Sequence, residues 1–383
     1  MDFNLVLDRG AAAWTVNILL LLIGFVLLVK GADFFVDGAS GIAKKLKVSS
    51  FIIGVTVVAI GTSAPELAVT VFDAVGGTGD VIIGNILGSN ALNVLLILGL
   101  SAVICKLPTE KSTRMVDMPF LIFVSALFLI FGVFVGGYNF GHNPENGAAF
   151  LNATMPWYCG LILLLLYFAF MAYNIVLARK QSKAQLEQAT ATSVVDPIGG
   201  AAVGGEQKTG FIASLKAGYE KHLSKLWFLI VIALVGLVMV VGGATLVVNS
   251  ARTVAVELIG IPTEIVALTV VAFGTSLPEL ITSVSAAKKG DVGIATGNII
   301  GSNIANILLI GGVGALCTGS RGLAFTMEGL IGGVVSLFSA VLIFGFSMGK
   351  TKCLGKIAGV IMLMCLVGYY TFMFVNLGVG IYQ

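Results

Sequence analysis

The chain has 383 residues, of which 57% are hydrophobic and only 11% are charged, and its mean hydropathy is +1.03. Soluble domains carry about 25% charged residues, so this composition excludes a soluble globular enzyme, a disordered protein and a nucleic-acid-binding protein. The net charge of +3 is small, and nothing in the sequence indicates an obligatory protein partner.

The hydrophobic residues fall into runs of about 20 or more, the length at which a helix crosses about 30 Å of hydrocarbon. We therefore predict an all-α, polytopic membrane protein with ten transmembrane helices in the lipid bilayer. In chain order, the predicted spans are residues 12–36, 49–77, 81–105, 115–137, 156–178, 226–249, 262–287, 292–316, 326–347 and 357–379. The long hydrophilic stretch 179–225 is predicted to be a linker between two units, 1–178 and 226–383.

Lysine and arginine residues predict the orientation, because cytoplasmic loops carry an excess of both. If the linker is cytoplasmic, 19 of the 22 Lys and Arg residues lie on the cytoplasmic side. Only Arg9, Arg252 and Arg321 do not. We expect both termini outside a plasma (inner) membrane and the linker inside the cell.

The sequence repeats itself at an offset of 213 residues. Residues 56–67 read TVVAIGTSAPEL and residues 269–280 read TVVAFGTSLPEL, while GNILGSNALN at 84–93 returns as GNIIGSNIAN at 297–306. Each predicted half contains five spans, an odd number, so the second copy is expected to enter the membrane inverted. Inverted repeats are typical of secondary transporters, whose substrate site lies near the midplane between the repeats.

Glu66 and Glu279 are the only ionisable residues well inside any predicted span. A charge at the bilayer centre costs at least about 2.5–3.5 kcal/mol and therefore needs a partner. No Lys or Arg lies at matching depth in another span, so either protons or bound metal cations must stabilise the two carboxylates.

Side chains with oxygen atoms surround both glutamates. Thr62 and Ser63 precede Glu66 by four and three residues, so all three share one helix face, and the third and eighth spans carry Ser and Asn at the same spacing. Hydroxyl, amide and carboxylate oxygens are what Na⁺ and Ca²⁺ prefer, whereas transition metals favour His or Cys. The candidate ligands are Thr62, Ser63, Glu66, Ser89, Asn93, Thr275, Ser276, Glu279, Ser302 and Asn306.

A proline stands directly before each glutamate. Pro65 and Pro278 lack an N–H group and clash with the carbonyl four residues earlier, so each helix must distort beside its acid. We expect carbonyls freed around 59–62 and 272–275 to act as further cation ligands, although a simple packing kink is the alternative.

The charges favour ion exchange over a one-way leak. One Ca²⁺ balances two ionised glutamates, and Na⁺ ions can occupy the same oxygens, whereas an empty site would be costly to carry across. The rival interpretations are a Ca²⁺/H⁺ antiporter and a passive divalent-cation channel. An enzyme is not expected, because no span pairs a nucleophile with a base and both histidines, His142 and His222, fall in loops.

At these residues the chain resembles the Ca²⁺/cation antiporter superfamily, and within it the sodium/calcium exchanger branch, in its prokaryotic type with a short linker. The motifs of that branch, G-T-S-x-P-E and G-N-x-x-G-S-N-x-x-N/D, stand here at 61–66 with 84–93 and at 274–279 with 297–306. The resemblance implies Ca²⁺ and Na⁺ as transported ions and no resident cofactor.

The resemblance also implies roles for particular residues. It adds the backbone oxygens of Ala59 and Ala272 to the ten side-chain ligands. It places the site on the second, third, seventh and eighth spans, with the first and sixth spans sliding past it. Some relatives have Asp where Asn306 stands, and in the potassium-dependent branch that acid accompanies K⁺ transport, so Asn306 argues against a potassium requirement.

Overall fold

The structure, a computed structural model, describes residues 11–76, 80–142, 149–193, 225–254 and 272–381. Helices dominate these ranges. In chain order they are α1 (Ala11–Leu46), α2 (Ser50–Thr62), α3 (Ala64–Gly76), α4 (80–104), α5 (Thr113–Val135), α6 (Trp157–Ser193), α7 (Leu226–Arg252), α8 (Ala272–Thr275), α9 (Leu277–Lys288), α10 (292–318), α11 (Met327–Ser347) and α12 (Lys356–Ile381).

Most of these helices are long and apolar enough to cross a membrane. Seven qualify alone, namely α1, α4, α5, α6, α7, α10 and α11, and the α2–α3 pair is an eighth if its two bent parts form one span. The first part of the predicted seventh span, from residue 262, lies outside the described residues. A mostly helical membrane protein is confirmed, while the count of ten spans in two inverted repeats stays a prediction.

Two helices run beyond the predicted spans. α1 continues past residue 36 to Leu46, and α6 continues past residue 178 to Ser193, so the predicted linker begins as helix. Hydrophobicity marks the part of a helix that lipid can cover, whereas backbone hydrogen bonds continue into polar sequence. Lys44 and Lys45 in the last turn of α1 suit the negative end of the helix dipole.

Two small sheets join the loops, so the fold is mostly helical, whereas the sequence predicted helices alone. β1 (Leu107–Pro108) pairs antiparallel with β5 (Cys353–Leu354). β2 (Tyr138–His142), β3 (Ala149–Met155) and β4 (Leu323–Phe325) form an antiparallel sheet in that order. β1, β4 and β5 have only two or three residues, too few to show the alternation of polar and apolar residues that predicts a strand.

The helices that carry the candidate ligands lie at the centre of the molecule. The most apolar stretch of α10 is 83% buried and that of α4 is 78% buried, against 28% for α1 and 22% for α6. Glycines allow α2 and α10 to touch through their backbones. A β-carbon on Gly54 would lie 2.9 Å from the Ile294 carbonyl oxygen, and one on Gly301 would lie 2.6 Å from that of Val55.

α1 and α7 pack against each other as an antiparallel pair on the periphery. Gly24 of α1 faces Val247 of α7, and Gly38, further along α1, faces the earlier residue Ala233. A β-carbon on Gly38 would lie 2.7 Å from the Ala233 backbone nitrogen, so only glycine permits this approach.

Candidate cation site

The chain breaks at the same point in both copies of the repeat. α2 ends at Thr62 and α3 begins at Ala64 with a bend of 44°, and Ser63 between them has φ −84° and ψ 9°. Ser276 separates α8 from α9 with nearly the same angles, φ −87° and ψ 1°. The following prolines therefore stand in the first turn of a new helix, where their missing N–H group breaks no helical hydrogen bond.

Each break places a glutamate in the first turn of the following helix. Glu66 is the third residue of α3 and Glu279 is the third residue of α9. Both are almost fully buried, with exposed fractions of 1% and 0%. The N-terminal end of a helix stabilises negative charge, so each break supports the carboxylate beside it.

Hydroxyl groups from one copy of the repeat reach the carboxylate of the other. The Ser63 hydroxyl donates to Glu279 Oε1 over 2.9 Å, although the two residues are 216 positions apart. Glu66 in turn has a side-chain hydrogen bond with Thr275 of the second copy. Ser302 on α10 lies 3.4 Å from Glu279 Oε1. Because Ser63 stands three residues before Glu66 and donates to Glu279, these contacts bring the two glutamates into one region of the molecule.

Several candidate ligands have a buried oxygen atom with no hydrogen-bond partner in the parts of the chain that the structure describes. Leaving such an atom unpaired costs about 1–3 kcal/mol, and native proteins normally avoid it. Within the same ranges no ion pair joins a Lys or Arg to either glutamate. The unpartnered atoms are Glu66 Oε2, Ser89 Oγ, Asn93 Oδ1, Ser276 Oγ, Glu279 Oε2 and Asn306 Oδ1.

The Ala59 carbonyl is more occupied than expected. It accepts the Ser63 N–H over 3.1 Å, and the Thr62 hydroxyl lies 3.4 Å away. The reason is that the helix breaks only after Thr62, so the bond from residue 63 back to residue 59 survives. Ala272 stands at the matching place, as the first residue of α8.

Four further polar residues at the site were not among the predicted ligands. The Thr62 hydroxyl lies 3.1 Å from Asn298 Oδ1, and Asn298 Nδ2 donates to Ser283 Oγ over 2.9 Å. Asn90 and Asn303 join α4 to α10, because the side-chain NH₂ group of each donates a hydrogen bond to the backbone carbonyl of the other. The repeat itself was the signal for the asparagines, because Asn298, Asn90 and Asn303 belong to the duplicated GN…GSN blocks.

Both central helices widen at a candidate ligand. A π-helical turn begins at Asn93 in α4 (Asn93–Leu98), and another begins at Asn306 in α10 (Asn306–Ile310). Such turns are frequent at functional sites. Across the described residues, no three His, Cys, Asp or Glu side chains cluster as a transition-metal site would require. The side chains that contact the two carboxylates are instead the hydroxyl groups of Ser63, Thr275 and Ser302, which are hard oxygen donors.

Comparison with known proteins gives a family match over both halves of the chain. Residues 16–176 and 228–375 match the family described as "Sodium/calcium exchanger protein". The chain is 34% identical over 311 residues to Sodium/calcium exchanger MaX1 of Methanosarcina acetivorans, covering 79% of this chain and 83% of the relative. It is 30% identical over 325 residues to Inner membrane protein YrbG of Escherichia coli, covering 84% and 87%.

A solved structure has a similar fold. The sodium-calcium exchanger NCX_Mj, soaked with Na⁺ and Sr²⁺, superimposes with a TM-score of 0.69 at 28% sequence identity. The match covers 93% of this chain and 98% of the exchanger.

Proposed function

Since this chain belongs to the sodium/calcium exchanger protein family, we propose that it exchanges Ca²⁺ for Na⁺ across the plasma membrane by alternating access. The family consists of transporters and not of enzymes, so the cations are substrates and not resident cofactors. The observation that carries the choice of ions is the set of buried oxygens without a hydrogen-bond partner on Glu66, Glu279 and four of the other candidate ligands, among the described residues. Ca²⁺ takes six to eight oxygen ligands, and Na⁺ accepts the same kind of atom.

Charge balance supports exchange over leakage. Glu66 and Glu279 supply two negative charges, which one Ca²⁺ neutralises, and Asn306 adds an oxygen without adding charge. In the absence of a cation, two ionised carboxylates that share one site repel each other. Moving the site across the bilayer is therefore easiest when ions occupy it, which couples the exit of one ion to the entry of another.

The arrangement of the helices supports a moving outer pair around a fixed centre. α4 and α10 are the most buried helices, while α1 and α7 lie outside and touch each other through glycines. We infer that α1 and α7 slide past the site-bearing helices in a ten-span, inverted-repeat architecture. In it the termini lie outside, and the cytoplasmic linker 179–225 joins units 1–178 and 226–383.

Ion-replacement assays in vesicles test the proposal. In Na⁺-loaded vesicles, an outward Na⁺ gradient is expected to drive ⁴⁵Ca²⁺ uptake. Uptake that follows only a pH gradient would identify a Ca²⁺/H⁺ antiporter instead. Currents of single-channel size that need no counter-ion would identify a passive channel.

Charge-removing variants test the site separately. Glu66→Gln and Glu279→Gln are each expected to abolish uptake while the protein stays folded, because either change leaves one negative charge for a divalent ion. Glu110→Gln, in the exposed loop before α5, is the matched control and should keep full activity. Normal uptake by either buried variant would contradict the assignment.

A further inference from the structure

Four buried asparagines meet where α4 crosses α10. Asn90 and Asn93 belong to the first copy of the repeat, and Asn303 and Asn306 are their counterparts in the second. All four have exposed fractions of 0% or 1%. Their hydrogen bonds run between the two copies in a reciprocal pattern.

The side chains of Asn90 and Asn303, the inner two asparagines, are oriented by backbone carbonyl groups. Asn90 Nδ2 donates to the Asn303 carbonyl oxygen over 3.2 Å, and Asn303 Nδ2 donates to the Asn90 carbonyl oxygen over 3.1 Å. A carbonyl oxygen only accepts, so the NH₂ group and not the amide oxygen of each side chain must face it. The Oδ1 atom of each side chain, Asn90 and Asn303, therefore points away from the carbonyl group that its NH₂ group contacts.

The side chains of Asn93 and Asn306, the outer two asparagines, are oriented by Asn303 and Asn90. Asn306 Nδ2 donates to Asn90 Oδ1 over 3.0 Å, and Asn93 Nδ2 donates to Asn303 Oδ1 over 2.9 Å. Because an amide oxygen only accepts, both outer side chains must present their NH₂ groups to it. Their own oxygens, Asn93 Oδ1 and Asn306 Oδ1, are left buried and without a partner in the described parts of the chain.

We propose that Asn90 and Asn303 are positioning residues that hold the amides of Asn306 and Asn93 with their oxygens free for the transported cation. The inference rests on the proposed function and deepens it. Ser302, one turn before Asn306, already lies 3.4 Å from Glu279 Oε1, so the freed oxygen of Asn306 continues the face that carries the site. Each positioning residue acts on the other copy of the repeat, since Asn90 of the first copy orients the ligand Asn306 of the second.

This arrangement uses the NH₂ group of the side chain at position 306. An aspartate there supplies oxygen atoms but has no NH₂ group to donate to Asn90 Oδ1. With Asn306 the site keeps two formal negative charges and a ligand of fixed orientation. The Asn306→Asp variant would bring a third charge to the site and lose the bond to Asn90.

A double-mutant cycle tests the proposal on purified protein, with Ca²⁺ affinity measured by titration calorimetry. Asn90→Ala is expected to weaken Ca²⁺ binding about tenfold, a coupling typical of groups in one hydrogen-bond network. In the Asn306→Asp background, where the bond to residue 90 is already lost, the same change should weaken binding less than about threefold. Asn174→Ala is the matched control, because that buried asparagine on α6 bonds only to Phe170 among the described residues and should leave affinity unchanged.

The possible outcomes separate this inference from the proposed function. Unchanged affinity in Asn90→Ala, or an equal loss in both backgrounds, would overturn the positioning role while Ca²⁺ binding by the unaltered protein still supported the exchanger. No Ca²⁺ binding by the unaltered protein would overturn both. If Asn90→Ala does not fold, the mirror cycle of Asn303→Ala with Asn93→Asp decides the question by the same criterion.

Discussion

Replacing Gly301 with alanine tests whether α10 lies against α2 as closely as the site requires. Gly301 directly precedes Ser302 on α10, and it faces Val55 and Ala59 on α2. A methyl group at residue 301 would lie 2.6 Å from the Val55 carbonyl oxygen, 2.7 Å from Val55 Cα and 2.8 Å from Ala59 Cβ. Two of these three atoms belong to the backbone, so no change of side-chain rotamer relieves the clash.

The expected cost follows from these distances. Ordinary contacts between heavy atoms are about 3.5–4.0 Å, so α2 and α10 must separate by about 1 Å. Overpacking of this kind lowers the free energy of unfolding by about 1–3 kcal/mol, which the better helix propensity of alanine offsets by about 1 kcal/mol. The shift also matters for binding, because Ca²⁺ accepts ligands only at about 2.3–2.6 Å and Thr62 on α2 would move away from Ser302.

Two measurements on the purified Gly301→Ala variant check this reasoning. Thermal unfolding is expected a few degrees lower, and half-saturating Ca²⁺ is expected at least about tenfold higher. Gly345→Ala is the control, because a β-carbon on that glycine of α11 meets nothing within 4 Å. Adding Ala59→Gly removes one of the three contacts and should not restore binding. A Gly301→Ala protein with unaltered unfolding temperature and Ca²⁺ affinity would refute the close approach of the two helices.

Two further changes test an ion pair beside the end of α9 and the role of the linker. Lys289 forms ion pairs of 2.8 Å with Asp37 and 3.4 Å with Asp33 of α1, all partly exposed, so Lys289→Gln should lower the free energy of unfolding by no more than about 1 kcal/mol. The loss should be larger at low salt in thermal unfolding, and Lys288→Gln should show none; equal losses in both would contradict a specific pair. Deleting residues 196–207 should leave Na⁺-driven Ca²⁺ uptake intact, since every candidate ligand lies elsewhere, and abolished uptake would show a further role for the linker.

Much of the candidate site could be predicted because its signal is local. Thr62, Ser63 and Glu66 lie within one helical turn, and Pro65 beside them predicts a break in that turn. The break occurs at Ser63, and the bend of 44° accompanies it. Whether the Ala59 carbonyl accepts a hydrogen bond was not predictable, because this depends on whether the helical hydrogen bonds stop before or after Ser63.

Contacts between distant residues could not be derived in the same way. The bond from Ser63 to Glu279 joins residues 216 positions apart, and the bond from Asn90 to the Asn303 carbonyl joins residues 213 apart. Both depend on how α2, α4, α9 and α10 cross. Two of the strand pairs in the loops, β3 with β4 and β1 with β5, were missed for the same reason, because each joins distant parts of the chain.

By itself the sequence determined that the chain belongs in a membrane, that it is duplicated and that each copy carries one acid among hydroxyl and amide groups. These are properties of composition and of short spacing along one helix, which need no knowledge of packing. Only the tertiary structure decided which hydroxyl serves which carboxylate and which amide oxygens are left free. Those outcomes follow from the close approach of separate helices, and hydrogen-bond partners are selected at distances of about 3 Å, far below what a pattern along the chain specifies.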